Sequence, residues 1–223
     1  MKEYLKNLKD KRFLISIFCY MGLQAITYVG VKCFQTNPHF FNHKIDSMIP
    51  FIPQMIYIYN MFYPAVFISF YNVYNHDKET YFKGILAGIL GFLVTDIIFL
   101  TYSVDIVRPV LSNYRMDPIT YFIINTTYKL DSPSVNCFPS IHCLFSFQSI
   151  VTLLMCRGYK GKSKGILVTL LTLIIASTVL VKQHYFMDIV GAFLVCLVVN
   201  IIAILIFDKY NVLDLLTKTN KKK

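Results

Sequence analysis

The sequence predicts an all-α, polytopic membrane protein of six transmembrane helices with both termini in the cytoplasm. Composition sets the class: 56% of the 223 residues are hydrophobic and only 15% are charged. Mean hydropathy is +0.54, whereas a soluble domain of this length is less apolar and more charged. Patterning sets the number of spans. Long, nearly uncharged runs occupy 13–31, 51–74, 84–104, 138–156, 165–181 and 188–207. Each is about the length that crosses a hydrocarbon core of roughly 30 Å. Together they use over half the chain, so a single membrane-embedded domain over 1–223 is expected.

The first run follows "MKEYLKNLKDKR". It is too long for a signal-peptide core and lacks a small-x-small cleavage site, so it reads as an anchor. The second begins at "FIPQMIYIY", and the third carries Asp96 in its interior. The fourth opens with "PSIH", the fifth is at the short limit for a span, and the sixth follows "KQHYFMD". Tyrosines at span edges (Tyr28, Tyr74, Tyr102) read as interfacial anchors.

Charge orients the spans. Six crossings put both termini and the loops 75–83 and 157–164 on one side. Lys and Arg there number five, two, four and five, sixteen of the twenty-two in the chain. The other side holds Lys32, Lys44, Arg108, Arg115, Lys129 and Lys182. The positive-inside rule assigns the lysine-rich side to the cytoplasm, which predicts a multi-pass protein of the plasma (cytoplasmic) membrane. The net charge of +10 is then a topology signal, aided by anionic lipid heads. No nucleic-acid partner is expected. The six cysteines show no metal-like spacing, and four lie within spans, although Cys33 and Cys137 share the outer side and can pair there.

The same layout gathers Arg108, Ser140, His142, Lys182, His184 and Asp188 at the outer face. Ionisable groups at span ends are costly unless they serve a cavity or a site. A neutral imidazole is a good nucleophile toward phosphorus, and Asp188, four residues after His184, can fix its tautomer. His142 can protonate a leaving alkoxide. Arg108 offers a fork for two phosphate oxygens, and "PSIH" opens a helix whose free N–H groups favour the same anion. Blander readings stand beside these: a structural His184–Asp188 pair, a capping Ser140, and snorkelling Arg108 and Lys182.

At these residues the chain resembles the type 2 phosphatidic acid phosphatase superfamily, six-helix membrane enzymes with the motifs K-x6-R-P, P-S-G-H and S-R-x5-H-x3-D. The first reads "TYSVDIVRP", keeping Arg108 and Pro109 with Thr101 for lysine. The second reads "PSIH", keeping Pro139, Ser140 and His142 with Ile141 for glycine. The third reads "STVLVKQHYFMD", keeping Ser177, His184 and Asp188 with Thr178 for arginine. The resemblance implies His184 as a nucleophile forming a phosphohistidine, Asp188 as its partner and His142 as general acid. Arg108, Ser140 and Lys182 would hold the substrate phosphate, Lys182 standing in for the lost arginine.

The implied activity is metal-independent, cofactor-free hydrolysis of a lipid phosphomonoester or pyrophosphate at the outer face. The reduced first and third motifs, "HYFMDIV" and "IDSMIPFIPQMIYIY" are similar to the branch of sphingomyelin and inositol phosphorylceramide synthases, which makes headgroup transfer the alternative. Two rivals come from other classes. Two histidines and an aspartate can bind zinc, although Arg108 opposes the cation. A non-enzymatic transporter relaying ions through Asp96, or a scaffold, is the other. Oligomeric state is not legible.

Overall fold

Side-chain caps set the starts of four helices. The computed structural model describes Tyr4 and residues 7–35, 37–41 and 43–210. Asp10 caps α1 (Lys11–Lys32) by accepting the Arg12 amide, and Asp77 caps α5 (Lys78–Thr101) through Thr80. Asp117 caps α6 (Pro118–Leu130), with Pro118 in the first turn, and Ser140 caps α7 (Ile141–Met155). The remaining helices are α2 (Lys44–Met48), α3 (Ile56–Tyr59), α4 (Phe62–His76), α8 (Lys162–Leu180) and α9 (Phe186–Tyr210). Among the described residues the only strands are β1 (His39–Phe40) and β2 (Val104–Asp105), paired in parallel. The all-α class therefore holds.

Four helices, α1, α5, α8 and α9, are long and apolar enough to cross a membrane. The other two predicted spans differ from expectation. Residues 51–61 break into a 3-10 turn (Pro53–Met55), α3 and a bend, so α4 keeps only 15 residues. Helix α7 also has 15, because Pro139 delays its start to the Ser140 cap. At 1.5 Å per residue each covers about 22 Å, short of a full crossing. Lys2, Lys6 and the lysines from Lys218 onward, part of the orientation argument, lie outside the described residues.

Helix α7 sits at the centre, packed on α4, α5, α8 and α9. The outward side is apolar: Ile15, Phe18 and Ile26 of α1 and Ile201 and Leu205 of α9 are exposed. Polar groups turn inward, where Asn200 Nδ2 donates to Gln148 Oε1 at 2.8 Å between α9 and α7. This inverted pattern suits a lipid solvent, in which inter-helix polar bonds add modest stability. Close approach of α1 and α5 needs Gly88, since a Cβ there would meet the Tyr20 ring at 2.4 Å.

The loops stitch one end of the bundle together. The His39 amide donates to the Ser103 carbonyl, the Cys137 amide to Val104, and the Ile52 amide to Leu180. Helices α3 and α6 pack over this end, joined to the last turn of α8 by a cluster of Ile56, Tyr59, Ile124, Tyr128 and Val181. The starts of the two short helices are thus set back beneath a cover of loops.

Candidate active site

The turn between α8 and α9 presents the first histidine. Helix α8 ends with Val181 as its cap, followed by Lys182 in the left-handed region at φ 52°. The Lys182 amide donates to Val179 and the Gln183 amide to Thr178, at 3.2 and 3.0 Å, the pairing of a Schellman ending. The His184 amide shares the Thr178 carbonyl at 3.2 Å. Two residues later α9 begins, its Phe186 amide donating to Asp46 Oδ1 at 2.7 Å. The backbone of His184 is therefore held from both sides.

Asp188 lies in the first turn of α9, fully buried, where the helix dipole favours a negative charge. Its Oδ2 accepts from His184 Nδ1 at 3.1 Å and from the Tyr185 amide at 2.9 Å. An ionised carboxylate only accepts, so the ring proton belongs on Nδ1 and the Nε2 lone pair is left available. Asp188 Oδ1 has no partner among the described residues.

The second histidine comes from α7. Ser140 Oγ accepts the Cys143 amide at 3.3 Å, and the Ser140 amide donates to the Asp188 carbonyl at 3.2 Å, tying the α7 start to the α9 start. Gly191 permits that contact, because a Cβ there would meet Phe138 at 2.6 Å. His142 stacks on Tyr59 with centroids 4.6 Å apart and packs on Phe62. Its ring centroid is 6.0 Å from that of His184. The two imidazoles, forty-two positions apart, face one another.

Arg108 reaches the same place and is firmly held. Nη1 donates to the Tyr128 carbonyl at 2.8 Å, and Nη2 to Asp131 Oδ2 and Gln183 Oε1 at 2.7 and 2.6 Å. Its guanidinium lies over the Tyr128 ring at 4.7 Å, while Nε is buried with no partner among the described residues. Lys182 is not carried on a continuing helix. It turns away, and Nζ donates to the carbonyls of Asp46 and Ile49 at 3.0 and 2.6 Å. Burial pulls its ammonium below the ordinary lysine value, against the opposing pull of Asp46. Thr178 is buried and bonded to the Ile175 carbonyl, whereas Thr101 is exposed on α5.

Two cavities meet at His184. The larger, about 580 Å³, is lined by Arg108, Lys182, His184, Asp46 and several aromatic rings. The smaller, about 280 Å³, is lined by His184, His142, Tyr59 and Asp131. The nucleophile candidate lines both. Asp96 lies apart, buried in α5 with neither carboxylate oxygen partnered among the described residues.

One group has the makings of a metal site: Cys137, His184 and Asp188, with ligand atoms within 4.8 Å of one another. Burial holds the Cys137 thiol well above its ordinary value, and only a thiolate is a good ligand. His142 is not a member of that group. Cys33 and Cys137 are not bonded to one another; the first is exposed and the second buried.

The family model of the PAP2 superfamily matches residues 83–211. The chain belongs to that superfamily. No curated protein and no solved structure matches it. Members of the superfamily are phosphatases or phosphotransferases, and the matched span carries Arg108, Ser140, His142, Lys182, His184 and Asp188.

Sequence reasoning missed three residues that build this site: Asp131, Gln183 and Asp46. A buried arginine requires a counter-charge, so an outer-side acid was demanded, but Asp46, Asp105, Asp117 and Asp131 all qualified. Only the fold selects Asp131 for Arg108.

Proposed function

We propose that this protein is an integral membrane enzyme that transfers a phosphoryl group from a lipid through a phosphohistidine on His184. The observation that carries the reading is the buried His184–Asp188 pair at 3.1 Å, with His184 lining two cavities and His142 beside it in the smaller. Asp188 keeps the proton on Nδ1, and Nε2 attacks phosphorus. The bond from phosphorus to the lipid oxygen breaks as His142 delivers a proton to that oxygen. Arg108, pinned by Asp131 and Gln183, is left with its Nε–H and one Nη1–H for phosphate oxygens. A water or a second hydroxyl then loses its proton to His142 and attacks phosphorus, which frees His184.

Hydrolysis of a lipid phosphomonoester or pyrophosphate follows when water is the acceptor. Headgroup transfer to a second lipid is the other reading, and a specific observation favours it. Thr101 and Thr178 replace two family cations, and the Lys182 ammonium is engaged by two carbonyls. A monoanionic diester needs less positive charge than a dianionic monoester. In either reading the site opens to the outer membrane face, both termini are cytoplasmic, and no metal or cofactor takes part.

The test is to trap the intermediate. Labelled lipid phosphate mixed with the purified protein in EDTA should give an acid-labile phosphoenzyme within seconds. Vanadate should block it, and H184Q should lack it. An undiminished phosphoenzyme in H184Q, or activity lost to EDTA and restored by Zn²⁺, would overturn the reading. Impermeant labelling of single cysteines in intact cells checks the orientation: position 130 should react and position 161 should not.

A further inference from the structure

Asp46 stands on α2, far from the catalytic turn in sequence, yet meets that turn twice. Its Oδ1 caps α9 at the Phe186 amide, and its backbone carbonyl accepts Lys182 Nζ. His184 lies between those two anchors. The other carboxylate oxygen, Oδ2, is buried and has no partner among the described residues. Asp46 also lines the 580 Å³ cavity beside Arg108 and His184.

A carboxylate in the wall of a phosphate site works against a bare phosphate, because like charges repel. Neither nearby cation gives Oδ2 a hydrogen bond, since Arg108 is paired with Asp131 and Lys182, although it feels the charge of Asp46, donates to two carbonyls. A buried acceptor without a donor is also costly in itself. A substrate group carrying an O–H, an N–H or an ammonium relieves both costs. The cavity volume falls in the range of about 300–1,000 Å³ that holds whole small-molecule ligands, and a phosphoryl group alone fills little of it. Tyr114 and Tyr185 stand in the same wall, and tyrosine is a residue type that binds sugars and cations.

We propose that Asp46 determines specificity: its free oxygen receives a hydrogen-bond donor on a polar headgroup that stays attached to phosphorus, so that the substrate is a phosphodiester lipid. This rests on the phosphohistidine reading above and narrows it. The His184 Nε2–phosphorus bond forms and the phosphorus–oxygen bond to the lipid alcohol breaks, the alcohol leaving with the His142 proton. The headgroup phosphate remains on His184. An acceptor hydroxyl, from water or a second lipid, then gives its proton to His142 and takes the headgroup phosphate as the phosphorus–nitrogen bond breaks.

The experiment compares lipids identical in their acyl chains: phosphatidate, its methyl diester, and diesters of ethanolamine, glycerol and inositol. The full-length protein in mixed micelles is read for released headgroup phosphate and for new phospholipid. At least one donor-bearing headgroup should exceed both phosphatidate and the methyl diester in kcat/KM by about tenfold or more. D46N keeps an oxygen to cap α9 and loses the charge. It should erase most of that preference, lowering kcat/KM for the donor-bearing diesters by about tenfold more than for the methyl diester. D46A should lower turnover of every diester.

A wild-type preference for phosphatidate overturns the proposal and leaves the phosphohistidine reading standing. So does an equal loss on donor-bearing and methyl diesters in D46N. Absence of a phosphoenzyme with every lipid removes both readings. The wild-type ranking decides the matter even if a variant fails to fold.

Discussion

The two ends of the bundle hold the same kinds of residue and use them in opposite ways. At one end, Asp10 accepts from Tyr74 and Arg12, Lys83 pairs with Glu79 and Asp208, and His76 donates from Nδ1 to the Asn72 carbonyl and accepts from the Tyr4 hydroxyl at Nε2. Those groups are wholly engaged with each other, and several are exposed. At the other end, His184 and Asp188 are buried and Arg108 is half-buried; they come from distant segments and keep unengaged atoms beside two cavities. A histidine near a carboxylate is therefore not what marks a site in a membrane bundle. The mark is capacity left over in a place where leaving it is costly.

The contrast makes its largest claim about the histidines. H184Q should lower turnover by at least about 10⁴-fold, whereas H76Q at the other end should stay within about twofold in the same lipid assay. Comparable losses would erase the distinction between the ends. Next in size, H142A should cost roughly 10²–10⁴-fold with a lipid leaving group. A nitrophenyl ester should recover much of that loss, since a good leaving group needs no acid; equal loss on both substrates would remove His142 from the acid's role.

Asp131 tests whether engagement at the active end also serves function. D131N should raise KM for the lipid phosphate by a factor corresponding to about 2 kcal/mol, with the protein still folded. At the opposite end the effects turn purely structural. Asp10 is only 20% exposed; burial raises it, but bonds from Arg12 and Tyr74 outweigh that and hold it down to about 2. A depressed carboxylate contributes stability above its unfolded value near 4 and loses it as pH falls toward 2, so D10N should lose up to about 2 kcal/mol at pH 7. Thermal unfolding at pH 7 and at pH 3 should show the gap between variant and wild type narrowing. Smallest of all, K83A removes pairs to partners that are 51% and 62% exposed and should shift stability by under about 1 kcal/mol.

Much of this was legible in the sequence, and the exceptions have physical causes. Spacing alone placed Asp188 one helical turn after His184, and the fold keeps that pair at 3.1 Å. Hydropathy found the four helices long and apolar enough to cross a membrane and the shorter apolar α7, but overestimated the helices in runs 51–74 and 138–156. A run such as 51–74 stays apolar whether it forms one helix or a turn and two helices, and only Pro53 and the bend after Tyr59 distinguish them. Lys182, the expected stand-in for the lost arginine, follows a helix that ends at Leu180 and turns away from the site, and a Schellman ending needs no glycine to declare itself. The partners of Arg108 and the position of Asp46 depend on loops meeting in space, which no local pattern encodes.

That helix ending has a consequence for how the turn balances durability against chemistry. Lys182 occupies a left-handed position that glycine adopts freely and that costs other residues on the order of 1 kcal/mol. Its two carbonyl bonds anchor the α2 segment to the turn that carries His184. A glycine there would relax the backbone and release the anchor in a single change. The two bonds from a charged donor outweigh that strain, so the turn carries a strained backbone in exchange for a fixed cavity wall.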